Sequence, residues 1–156
     1  MVLSVCFTGR FLTYFGIAIS SSSLVHVLCS QVPSLVQALA SKTSDWKARV
    51  AALEHIRETF SLLAPRIGSN PRGEALAQAF MPLCTSIITQ LSELRSAIIS
   101  EVTSTIGAMA CALGSSFDVL GEKLVMSLLE LAGRGKKVMS DYSSAALGEI
   151  SAHCQG

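Results

Sequence analysis

From about residue 31 onward, the apolar residues of this chain recur at helical spacing, and the recurrences come in pairs divided by short polar breaks. An apolar residue every three or four positions buries one stripe of a helix. No Val/Thr/Tyr-rich run alternates between turn signals, so strands are not expected. The spacing predicts helices over about 31–41, 46–64, 74–92, 95–113, 117–132 and 138–153. Links within a pair are short, at 42–45, 92–95 and 133–137; links between pairs fall at 65–73 and 113–116. A helical hairpin cannot bury its apolar face alone, whereas stacked hairpins can.

The stripes are specific. Val32, Leu35, Val36 and Leu39 mark the first helix, with Pro33 suited to its first turn. Val50, Leu53, Ile56, Phe60 and Leu63 mark the second, for which Ser44 or Asp45 is a good N-cap. Leu76, Phe80, Leu83, Ile87, Ile88 and Leu91 mark the third, where Pro82 is expected to kink or split the helix. Ile98, Ile99, Val102, Ile106, Met109 and Leu113 mark the fourth, which Gly114 stops. Ser115 or Ser116 is expected to cap the fifth, which carries Phe117, Leu120, Leu124, Leu128, Leu129 and Leu131. Val138, Tyr142, Ala146, Leu147 and Ile150 mark the sixth. The hairpin unit, about 40–47 residues, has the period of HEAT-type helical repeats. The expected fold is therefore all-α, a solenoid of about three such hairpins over residues 31–156.

Residues 1–30 stand apart. No Asp, Glu, Lys or Arg occurs from Phe11 to Ser41. The run from Phe11 to Ile19 behind Arg10 has the character of a signal-peptide core, and extended to Cys29 it reaches the length of a membrane span. Ser20 to Ser23 interrupts the hydrophobicity, which favours an apolar leader or an extra N-terminal helix. Secretion or anchoring through this segment stays open, with a cytoplasmic location as the main expectation.

Composition removes several function classes. Lys and Arg total 12 against 11 Asp and Glu, a formal net charge of +1, so there is no global field for nucleic acid or anionic lipid. Half the residues are hydrophobic, which excludes a disordered tail. The five Cys, at 6, 29, 84, 111 and 154, form no CxxC pair and read as reduced, buried thiols. His26, His55 and His153 lie far apart, and Asp45, Asp118 and Asp141 each sit near an expected helix start, where capping accounts for them. Gly133-Arg134-Gly135-Lys136-Lys137 lacks the preceding strand and the Ser or Thr of a phosphate loop. No residue set here would carry a reaction, and no metal or other cofactor is called for.

Charge clusters locally instead. In a stack of hairpins the links within pairs share one edge. That edge would carry Trp46 and Lys47, then Arg95, then Arg134, Lys136 and Lys137. Cations around one indole suit an acidic protein surface, the Arg forks pairing carboxylates and Trp acting as a rigid anchor. The same residues also fit ordinary solvated turns with Trp46 folded inward.

Ser44-Asp45-Trp46-Lys47-Ala48-Arg49-Val50-Ala51-Ala52-Leu53-Glu54 resembles the opening repeat of TOG domains, above all those of the CLASP (CLIP-associating protein) and crescerin families. Leu94-Arg95-Ser96, the apolar helix ending in Ala112-Leu113-Gly114, and Phe117-Asp118 are similar to the second repeat of the CLASP N-terminal domain. Lys136 to Asp141 resembles the turn and helix of the third. The resemblance covers about 40–150 and is partial, since TOG domains usually have six repeats and the apolar leader is outside the pattern. It implies tubulin or microtubules as the partner, bound through the turn edge by Trp46, Lys47, Arg95, Lys136 and Lys137; Arg134 is added on position alone. A generic HEAT-repeat scaffold, binding a different protein on its concave helix face, is the alternative.

Overall fold

The computed structural model describes residues 21–40, 45–67 and 71–154. They form α1 (Ser21–Ala40), α2 (Trp46–Ile67), α3 (Pro71–Leu91), α4 (Ser96–Leu113), a 3-10 turn (Gly114–Phe117), α5 (Asp118–Ala132) and α6 (Lys137–His153). No strand occurs among the described residues. Helices α1, α3 and α5 pack side by side in one layer, and α2, α4 and α6 in the other. The described residues form an α-solenoid of three helical hairpins, each contributing one helix to each layer.

The core lies between the layers and is built from the expected stripes. Phe60 of α2 and Phe80 of α3 meet edge to face, ring centroids 5.0 Å apart at 73°, and both are fully buried. Leu53, Ile56 and Leu63 of α2 and Ile98, Val102, Ile106 and Met109 of α4 continue this interior. Ser96 to Ala132 is long and apolar enough to cross a membrane by length and composition alone. Its Ile, Leu and Phe side chains nonetheless largely form this core, and its backbone turns at Gly114. Gly114 has φ +52°, which only glycine adopts without strain, and its N–H closes α4 on the Ala110 carbonyl.

Several boundaries differ from expectation for identifiable reasons. Helix α1 begins at Ser21, not near residue 31, and Leu28 joins the core from the added turns. Residues 1–20, with the signal-like run, lie outside the described residues. Pro33 is therefore inside α1 instead of in its first turn, and Pro82 sits inside an unsplit α3. Both prolines are exposed, so water can reach the carbonyls they leave unpaired. Helix α2 runs on to Ile67 and α3 starts at Pro71, where the missing N–H costs nothing, which shortens the expected loop at 65–73. Neither Ser115 nor Ser116 caps α5: the 3-10 turn leads straight into it from Phe117, with no side-chain cap. Asp45 does cap α2, accepting from the Lys47 N–H at 3.2 Å, whereas Asp141 lies beyond the first turn of α6.

Two stripes are shifted by a residue or two. Leu129 is half exposed, and in α6 the buried positions are Met139, Ser143 and Ala146 while Val138 faces outward. Ser143 donates to the Leu128 carbonyl, so a small polar residue lets α6 sit close against α5.

Candidate functional site: the turn edge

The start of α2 and the links within the second and third hairpins lie on one edge, joined by named contacts. Arg95, which begins α4, places its guanidinium carbon 5.8 Å from the centroid of the Trp46 ring at the start of α2. Arg134, in the third link, donates from Nη1 to the Leu91 carbonyl at the end of α3, at 3.0 Å. The ends of α1, α3 and α5 and the starts of α2, α4 and α6 therefore converge there. The link between the second and third hairpins sits at the other edge, where Gly114 lies beside the His153 carbonyl at the end of α6.

Trp46 is half-buried: one side packs on the core, and the ring carries Arg95 and, 6.0 Å from its centroid, the Lys47 ammonium. Both cations are exposed. A cation within about 6 Å of an indole face is drawn to its negative quadrupole. The ring is thus braced from within and charged from without, neither sealed in the interior nor free. Of the residues expected on this edge, the structure brings Trp46, Lys47 and Arg95 into one cluster. Lys136 and Lys137 are exposed at the start of α6, with no ion pair among the described residues. Arg134 is exposed too, but its guanidinium is partly engaged by the Leu91 carbonyl; a cation suits the end of a helix, where carbonyls lack partners.

Two further features favour negative charge. No side chain caps α4 at Arg95 or α6 at Lys136, so first-turn N–H groups and the helix dipole point outward there. Gly135, at φ +78° with open space where a Cβ would be, lets the third link turn tightly between its basic residues.

Sequence reasoning missed Leu94 and the role of Arg49. Leu94 is 77% exposed, the most exposed of the large apolar residues among those described, and stands between Glu93 and Arg95 at the tip of the second link. Its signal was an apolar residue in a polar break, at helical spacing from Leu91 and Ile98 but outside both helices. Arg49 falls on the stripe of α2, four residues before Leu53, and is fully buried against Glu93 of the second link. A charged residue in the phase of a stripe must be paired, but spacing alone does not name the partner.

Elsewhere the polar groups are structural. Arg57 of α2 pairs with Glu101 of α4 at 2.6 Å, and that hydrogen bond holds its guanidinium above the usual range. Thr105 of α4 donates to the Leu53 carbonyl at 3.1 Å. His55 bonds Gln31 of α1 at 3.0 Å and His153 lies 3.3 Å from Glu149. No group of three His, Cys, Asp or Glu side chains is arranged for a metal among the described residues.

The model of the family described as CLASP N terminal matches residues 28–156. The chain belongs to the CLASP N-terminal family. The match begins within α1 and takes in every later helix. It makes the three hairpins a partial TOG-like, HEAT-type module of a cytoskeleton-associated family whose domain is a structural helical repeat. No curated protein matches the chain.

Proposed function

We propose that this CLASP-type module binds tubulin or microtubules through the turn edge, as a cytoplasmic element of cytoskeletal regulation. The stacking of Arg95 over Trp46 carries the proposal. It joins the start of α2 and the second link into one surface with an aromatic centre and a cationic rim, the pairing of anchor and charge that an acidic protein surface accepts. Family membership supports the same reading.

The mechanism is rigid presentation. The stack fixes the links in register, so Lys47, Arg95, Lys136 and Lys137 meet carboxylates together, with little ordering cost at the moment of binding. Trp46 and Leu94 supply apolar contact at the centre, and the uncapped starts of α4 and α6 add partial positive charge. Arg134 contributes through the frame more than through the surface. No cofactor takes part. The direct experiment is sizing chromatography of the purified chain with tubulin: co-elution is expected, and independent elution across micromolar concentrations at low salt would sink the reading.

A further inference from the structure

The turn edge is tied together from beneath by a buried charge. Arg49 lies one helical turn beyond Trp46 and is 2% exposed. Its Nη1 donates to Glu93 Oε1 at 2.6 Å and to Gln90 Oε1 at 3.0 Å. Gln90 Nε2 in turn donates to the Leu39 carbonyl near the end of α1, at 2.6 Å. One guanidinium therefore links α2, the end of α1, the end of α3 and the second link. Arg49 Nε has no hydrogen-bond partner among the described residues and is shut from solvent.

Stability does not account for this arrangement. Desolvating an ion pair offsets most of its attraction, and an apolar residue of similar size often serves as well, the more so when one donor is left unmatched. What the charge adds is direction: short bonds to two acceptors allow one placement of Glu93 relative to α2. Glu93 immediately precedes Leu94 and Arg95, while Trp46 shares a helix with Arg49. The Arg49–Glu93 pair thus sets where Leu94 and Arg95 stand relative to the indole.

We propose that Arg49 and Glu93 are positioning residues for the binding edge, the partly buried pair fixing the second link so that Leu94, Arg95 and Trp46 form one surface. In what it says of binding, this rests on the tubulin reading above; the placement of the link does not.

Trp46 is the only tryptophan, so its fluorescence reports on this spot alone. In the full chain, Glu93→Ala is expected to keep its far-ultraviolet circular dichroism. Acrylamide quenching of Trp46 should rise towards the level of Arg95→Ala, and tubulin affinity should fall roughly five- to tenfold. Glu93→Gln, which keeps the acceptor oxygen, should recover most of both. In a Leu94→Ala/Arg95→Ala background, Glu93→Ala should cost little more, because what it places has gone. Should Glu93→Ala fail to melt cooperatively, Arg49→Lys supplies the same comparison in milder form. Unchanged quenching in Glu93→Ala, or in Arg49→Lys where it stands in, or a full additional loss of affinity in the double-alanine background, overturns the positioning role. A wild-type chain that does not bind tubulin overturns the binding reading instead, and the quenching series then decides the placement by itself.

Discussion

The Arg95 guanidinium lies over the Trp46 indole although the two residues stand at the starts of helices in different hairpins, and Lys47 approaches the same ring. An aromatic at the centre and cations at the rim are not equivalent in energy. A buried anchor costs about 2 kcal/mol or more on truncation, whereas a rim ion pair is worth roughly 1 kcal/mol or less. Trp46→Ala should therefore weaken microtubule cosedimentation by a factor of about thirty or more, and Lys47→Ala by no more than about fivefold. Raising salt from 50 to 300 mM should weaken the wild type further. Equal cosedimentation of wild type and Trp46→Ala would remove the ring from the interface.

Lys136 and Lys137 separate the tubulin reading from that of a general scaffold. Both are exposed at the third link, away from the helix faces. Lys136→Glu/Lys137→Glu should reduce tubulin binding at least tenfold, by losing two attractions and adding two repulsions, while leaving the melting temperature near its original value. A partner held on a helix face would be insensitive to this pair, so undiminished binding assigns the interaction elsewhere.

The fold was legible in the sequence because its determinant is periodic. Stripes such as Leu76-Phe80-Leu83-Ile87 state both the helix and its buried face. The shared edge was legible for the same reason: once helices alternate between layers, the links within hairpins must lie together. Contacts across hairpins were not, because nothing local in Arg49 names Glu93 as its partner, and nothing in Arg95 names Trp46. Misread positions such as Leu129, Val138 and Pro33 are those where a one-residue change of phase, or a proline turned to solvent, leaves the local pattern almost unchanged.

The Phe60–Phe80 contact is expected to dominate the stability of the first two hairpins. Both rings are fully buried, and no link residue replaces them. Phe60→Ala should lower the unfolding free energy by about 3–5 kcal/mol, from lost transfer energy and the cavity left behind. Leu94→Ala, at an exposed position, should change it by less than about 0.5 kcal/mol. Urea titrations followed by circular dichroism measure both, and comparable shifts in the two variants would contradict this placement of the core.

Alkaline pH should destabilise the fold through its thiols. Burial pushes Cys84 up to about 11 from an ordinary 9.0, with Lys123 opposing slightly, and pushes Cys154 up to about 11 with help from Asp118. A thiol whose folded value is raised favours the folded state while neutral. Its contribution is complete below pH 9, where the unfolded thiol is also protonated, and drains away as pH rises towards the folded value. For Cys84, fully buried in α3, the full difference is of order 2–3 kcal/mol. Cys84→Ala should therefore be less stable than wild type at pH 8, and its stability should fall less steeply between pH 9 and 11. The difference between the two curves isolates the thiol from lysine and tyrosine titration in the same range; parallel curves would mean that Cys84 ionises as freely in the folded chain as in the unfolded one.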